Sequence, residues 1–214
     1  MGLIHDRGID AVIFDMDGTL LDSTASVERC WDHLAEAMGI DRAAAPFKHG
    51  VPSMATIRLC FPDAPEAEIQ EWNRFHLRLE VEDAGGCTPL PGVFDLLSAL
   101  DAARIPWGIA TSCQRDLGLA RHAAAGLPMP EVFVVAEDYA KGKPSPDPFL
   151  LAAQRLGVDP TRAIVVEDAP AGVTAGLAAG SYVVAMTSTH AADEVAHAHV
   201  VLDALSELQT LLLG

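Results

Sequence analysis

Apolar residues along the chain fall into two rhythms. Short unbroken runs recur without polar alternation: Ala11 to Phe14, Pro106 to Ala110, Val132 to Val135, Ala163 to Val166 and Tyr182 to Met186, with Val200 to Leu202 as a last short one. Runs of this length, rich in Val and Ile, suit strands buried on both faces of a parallel sheet. Between them the spacing becomes helical, as in Val93, Leu96, Leu97 and Leu100, and again in Phe149, Leu150, Ala153 and Leu156. The second of these starts cleanly, with Asp147 placed to cap and Pro148 at the first helical position, where its missing N–H costs nothing. Alternating strands and helices predict an open, doubly wound α/β sheet.

One stretch breaks the alternation. From about Ser23 to Gly86 no convincing strand appears, but three helical patterns do: Val27, Trp31, Leu34, Met38; then Met54, Ile57, Cys60, Phe61; then Ile69, Trp72, Phe75, Leu79. Gly85-Gly86 and the turn Pro89-Leu90-Pro91-Gly92 close the stretch, and the glycine pair is free enough to act as a hinge. The expectation is a core domain formed by residues 1–22 and 87–214, carrying an all-helical cap domain over residues 23–86.

Composition narrows the partners. The 214 residues are half hydrophobic and carry 14 basic against 30 acidic side chains, a formal net charge of −16. Such a chain can bury a full core and is too apolar for intrinsic disorder. Its acidity argues against nucleic acid, whose phosphates need basic patches, and against anionic membrane surfaces. An anionic substrate must therefore be held by a few placed cations or a metal. The four cysteines, Cys30, Cys60, Cys87 and Cys113, contain no CxxC pair and suggest neither a zinc site nor a disulfide framework. With no apolar run of about 18 residues and no signal pattern at MGLIHDRG, a cytoplasmic protein is expected.

Chemistry concentrates where strands end. Asp15 and Asp17 follow the first apolar run, two residues apart and so directed to the same side of the sheet, with Gly18 allowing a sharp turn. Two such carboxylates would repel, which calls for a cation, and hard oxygen ligands suit Mg²⁺. A surface Asp-Gly turn would read the same way. Thr111 and Ser112 end another run and offer hydroxyl and amide groups to an oxyanion, or simply begin a loop. Lys143 lies in Lys141-Gly142-Lys143-Pro144, between a strand and a capped helix, and Glu167-Asp168 terminates Ile164-Val165-Val166. Four polar sites at four strand ends are hard to attribute to coincidence.

The ordered set DMDGTL, ATS, GKPSPDPF and VVEDAPAG resembles the four motifs of the haloacid dehalogenase superfamily, and the likeness covers essentially the whole chain. That resemblance implies a Rossmann-like core with an inserted helical cap. It implies Asp15 as the nucleophile that forms an aspartyl-phosphate, and Asp17 as the acid and base that protonates the leaving alkoxide and then activates water. Thr111, with backbone N–H groups, would bind the phosphoryl group, and Lys143 would offset its charge. Asp168 would ligate Mg²⁺ with Asp15 and the Asp17 carbonyl oxygen, Glu167 supporting that site directly or through water. A second Asp two residues after the first resembles the phosphatases and phosphomutases, not the dehalogenases.

Within that group, His49-Gly50, Gly108 to Ser112, Val165 to Gly172 and the stretch from Ala120-Arg121-His122 to Val132-Phe133 resemble bacterial hexitol and sugar phosphatases and the glycerol and 2-deoxyglucose phosphate phosphatases. Mg²⁺-dependent hydrolysis of a small phosphorylated sugar or polyol is therefore expected, by a monomer or weak homodimer. A β-phosphoglucomutase-like sugar phosphomutase is the nearest alternative. It usually has Val where Thr19 stands and a phosphate-gripping Arg where Ser53 stands. A non-catalytic binder of phosphorylated ligands on the same fold is a third reading, disfavoured by a general acid it would not need. Specificity is expected in the cap, with Lys48, His49 and Arg58 as polar candidates and Arg115 facing them from the core. The lone pair His197 and His199 is expected at the surface.

Overall fold

In a computed structural model describing residues 2–42 and 53–214, β1 (Ala11–Phe14) lies at the centre of a six-stranded parallel sheet, every residue buried. The other strands are β4 (Trp107–Ala110), β5 (Val132–Val134), β6 (Ala163–Glu167), β7 (Tyr182–Met186) and β8 (Val200–Leu202), in the order β5-β4-β1-β6-β7-β8. The predicted runs are thus the strands. The chain winds from β1 outward through β4 and β5, then returns to β6 on the other side. The order reverses beside β1, and a crevice opens there at the carboxyl ends of the strands.

The sheet separates two apolar layers, because successive side chains point to opposite faces. Val12 and Phe14 face α1 (Leu3–Arg7), α5 (Val93–Ala103) and α9 (Leu205–Leu213). Ile13 and Val165 face α7 (Asp147–Leu156) and α8 (Pro170–Ala178) with Phe149, Ala153 and Val173. Fully burying such a side chain contributes about 1.5–3 kcal/mol before entropy is counted. Helix α6 (Arg115–Ala124) follows β4. In α7, Phe149 and Ala153 are buried as the spacing predicts, whereas Leu150 is 40% exposed.

Between β1 and β4 the chain departs through β2 (Leu21–Asp22) and returns through β3 (Thr88–Pro89), paired antiparallel as Leu21 with Pro89 and Asp22 with Thr88. Both strands are two residues long and carry no period that a sequence pattern could register. Beyond them stand α2 (Thr24–Met38), α3 (Ser53–Cys60) and α4 (Glu66–Glu82), packed around Val27, Trp31, Leu34, Ile57 and Ile69. The Asp22 carboxylate accepts the Thr24 N–H at 2.8 Å and so steadies the first turn of α2. Gly85 and Gly86, expected as a hinge, lie in a 3₁₀ turn spanning Ala84–Gly86, beside the Arg29–Asp83 pair at 2.8 Å.

Helix α4 differs from its sequence pattern. The expected apolar stripe of Trp72, Phe75 and Leu79 is only partly buried, and the deepest positions are Ile69, Asn73, His76 and Glu80. That face borders the crevice and the core helix α6, so polar side chains sit where a purely apolar packing face was expected. Among the described residues, no helix is long and apolar enough to cross a membrane.

Candidate active site

The carboxyl ends of β1, β4 and β6 converge because the strands are in register: Phe14 pairs with Ile109 on one side and with Val166 on the other. One or two residues later the chain presents Asp15, Thr111 and Glu167-Asp168 at a common level. Asp15, Glu167 and Asp168 are all buried, and a ligating oxygen from each lies within 4.8 Å of the others. Gly18 adopts φ +79° in the turn after β1, and a side chain there would run into the Asp168 carboxylate.

Lys143, on the loop before α7, supplies the positive charge. Its Nζ donates to Asp15 Oδ1 and, at 2.7 Å, to Glu167 Oε1, and it sits 4.9 Å above the centre of the Phe149 ring. Burial disfavours its ammonium form, but Asp15 and Glu167 more than offset this and hold its pKa above the ordinary lysine range. Glu167 is fixed further by the N–H groups of Asp168 and Ala169, at 2.8 and 2.9 Å. Thr19 donates to Asp168 Oδ1 at 3.3 Å, and Thr189 donates to Oδ2.

One ammonium does not neutralise three carboxylates. Burial pushes the Asp15 carboxyl well up despite Lys143, with Glu167 and Asp168 adding to the effect. Burial, then Glu167, pushes Asp168 up to about 7. An all-oxygen donor set that is short of positive charge fits a hard divalent cation, so the residues present suit the metal that the sequence motifs call for.

Asp17 faces elsewhere. Its Oδ1 accepts from Arg121 Nη1 at 2.9 Å and its Oδ2 from Cys113 Sγ at 3.1 Å, and its side chain stands outside the three-carboxylate cluster. Arg121, only 4% exposed, extends from α6 and also bonds Glu80 Oε1 of α4 at 2.7 Å. One guanidinium therefore joins a carboxylate beside β1 to the helical insert. Burial, reinforced by Asp17, raises the Cys113 pKa and favours its neutral thiol.

The end of β4 borders the same crevice. Thr111 is buried, its Oγ1 accepting the Cys113 N–H at 3.1 Å and its carbonyl accepting from the Tyr139 hydroxyl at 3.1 Å. With Ser112 it lines a cavity of about 560 Å³, walled also by Asp15, Asp17, Lys143 and Asp168. Arg115 is not brought there: its half-exposed guanidinium bonds Asp138 at 2.8 Å. Arg58 pairs with Glu66 at 2.7 Å on the exposed side of the helices. Lys48 and His49 lie outside the described residues. His199, read as a surface residue, is exposed but accepts the Val183 N–H at 3.0 Å and stacks on Tyr182.

Sequence reasoning passed over Arg121, Glu80, His76 and the Ser188-Thr189 pair. The last two follow β7 in the same polar-after-strand pattern that marked the other sites, so the signal existed. Ser188 donates to the Gly18 carbonyl, closing the turn after β1.

The chain has recognisable relatives among known proteins. The model of the haloacid dehalogenase-like hydrolases matches residues 9–180. Hexitol phosphatase A of Escherichia coli is 43% identical over 198 residues, covering 92% of this chain and 91% of that protein. Glycerol-1-phosphate phosphohydrolase 2 of Saccharomyces cerevisiae is 30% identical over 191 residues, covering 85% and 76% respectively. Among solved structures, CbbY from Rhodobacter sphaeroides in complex with phosphate has a TM-score of 0.77 at 27% identity, covering 94% of this chain and 96% of that one.

Proposed function

The chain belongs to the haloacid dehalogenase-like hydrolase family, and we propose that it hydrolyses small sugar or sugar-alcohol phosphate monoesters, with Mg²⁺, through an aspartyl-phosphate on Asp15. The observation that carries this reading is the unlike setting of two carboxylates two residues apart. Asp15 is packed against Lys143 in the acidic cluster, whereas Asp17 is held on the far side by Arg121 and Cys113. Two carboxyl groups in different environments can take different roles.

In the first half of the reaction an Asp15 oxygen attacks phosphorus and the bond to the leaving oxygen breaks. Asp17 delivers its proton to that oxygen, and the sugar or polyol departs. In the second half Asp17 takes a proton from water as the water attacks phosphorus, the bond to Asp15 breaks, and phosphate leaves. Lys143 counters the charge gathering on the phosphoryl oxygens, and Thr111 and Ser112 contribute hydroxyl and N–H groups to hold them. Asp15, Asp168 and Glu167, with the Asp17 carbonyl oxygen, would hold Mg²⁺, whose charge would ease the approach of an anionic ester to an anionic nucleophile. Residues 23–86 would act as the cap, excluding water when substrate is bound. All four cysteines are free thiols, which fits a reducing compartment such as the cytoplasm.

The test is phosphate release from hexitol, hexose, glycerol and deoxysugar phosphates, with Mg²⁺ and again with excess chelator. Release should require the metal and no bisphosphate primer, which separates this reading from a mutase. Asp15→Asn should abolish turnover. Asp17→Asn should still bind metal yet turn over no sugar phosphate, and an unchanged rate would overturn the roles assigned.

A further inference from the structure

The roof of the cavity contains polar groups that the reaction does not use. On α4, Asn73, His76 and Glu80 fall at i, i+3 and i+7, one face of the helix, and all three are at least nine-tenths buried. All three line the cavity together with Ser53. His76 is 1% exposed, and neither of its ring nitrogens makes a hydrogen bond among the described residues. Its Nδ1 lies 3.3 Å from Glu80 Oε2 without the alignment of a bond, and its ring packs on Trp31 with centroids 4.3 Å apart. A buried polar group left unpaired forfeits its hydration with nothing in return, so native structures seldom keep one without a reason.

The neighbours of His76 indicate what would satisfy it. Ser53 Oγ donates to Asn73 Oδ1 at 2.6 Å, which occupies the amide oxygen while the amide nitrogen makes no bond of its own among the described residues. Glu80 gives Oε1 to Arg121, leaving Oε2 beside His76. Arg121 keeps an unpaired buried Nε, but its charge is matched by two carboxylates, Asp17 and Glu80, so it offers no net positive charge to an anion. This face thus presents an amide, an imidazole and one carboxylate oxygen, donors and acceptors in turn. It runs roughly 10 Å along the helix, long enough to follow a short polyol chain. A hydroxyl both donates and accepts, and fits such a row. A second phosphate there would meet Glu80 and Asp17.

We propose that Asn73, His76 and Glu80 form a hydroxyl-binding subsite that selects uncharged, polyhydroxylated leaving groups over apolar ones and over those bearing a second phosphate. The inference rests on the phosphatase reading and adds which residues of this chain recognise the departing group.

The wild-type enzyme tests it first, with kcat/KM measured for a hexitol 6-phosphate, hexyl phosphate and the corresponding hexitol bisphosphate. The hexitol ester should exceed both others by roughly 30-fold or more, because a site built for hydroxyls rejects analogues that leave its polar groups unpaired. Equal rates on hexitol and hexyl esters would overturn the subsite. His76→Phe keeps the packing on Trp31, and Asn73→Leu keeps volume. In each, the hexitol-to-hexyl ratio should fall by about tenfold, mainly through KM for the hexitol ester. The ratio is internal to each variant, so partial loss of folded protein does not alter it. A ratio within about twofold of wild type in both variants would also overturn the proposal. If the wild type releases phosphate from no ester at all, the phosphatase reading fails and the subsite falls with it. That outcome is distinct from release without discrimination.

Discussion

Gly172, in the first turn of α8, lies so close to Glu167 that a methyl group on its Cα would overlap the carboxylate. Glu167 cannot easily yield, being held by Lys143 and by the N–H groups of Asp168 and Ala169. Gly172→Ala should therefore pull Glu167 from Lys143 and shift the Asp168 loop. Losing one charge-assisted hydrogen bond, about 2 kcal/mol, corresponds to roughly 30-fold in rate. Steady-state kinetics should show that fall in kcat at saturating Mg²⁺, and an unaltered kcat would show that Glu167 is not held as described. At this scale the sequence was most readable where chemistry followed a strand. Asp15, Thr111 and Asp168 each stand out against an apolar run, Lys143 lies on the loop before α7, and the order of the four gives them meaning. Arg121 stood in a helix where a charged side chain reads as solvated, and only the folded chain shows Asp17 and Glu80 meeting its guanidinium. His76 and Glu80 were hidden for the opposite reason, as polar letters interleaved with Ile69, Trp72, Phe75 and Leu79.

Elements with a strong period were the legible ones. The buried strands, and helices such as α5 and α7, follow from runs and spacings alone. β2 and β3 do not, because two residues carry no period and their pairing depends on distant partners, Leu21 with Pro89 and Asp22 with Thr88. Helix α6 shows how an element can also carry a titratable weakness. His122 on its last turn is 2% exposed, lies 3.2 Å from the Pro128 carbonyl through Nε2 and packs edge-on against Phe133. Burial lowers its pKa against the pull of that carbonyl. The unfolded chain, with an ordinary value of about 6.5, takes up the proton first. The stability His122 contributes is thus complete above that value and is lost as the pH falls toward the lowered folded one. Melting temperatures measured from pH 7 down to 5 should drop less steeply in His122→Gln than in wild type. Parallel slopes would mean that the ring is as easily protonated in the folded protein as out of it.

The whole molecule carries −16, yet its site must receive an anion. At low salt the long-range field repels the substrate over a Debye length of about 30 Å at 0.01 M, shrinking to about 8 Å at 0.15 M. The buried Lys143 pair is screened far less than surface charge. Raising NaCl at constant Mg²⁺ should therefore increase kcat/KM, by roughly twofold or more where encounter limits the rate. A decrease would mean that local attraction outweighs the net field.

At this scale too, β2 and β3 place the outgoing and returning chain side by side, in a ladder whose paired residues sit about 5 Å apart. The floor of the cavity thus meets the helices through a narrow paired neck. Lengthening a flexible closed loop costs only about 0.6 kcal/mol per doubling, so the neck works as a socket. Helical roofs of different size and lining can be plugged into it while Asp15, Lys143 and Asp168 stay where they are, and a new substrate range then needs a new roof but no new chemistry.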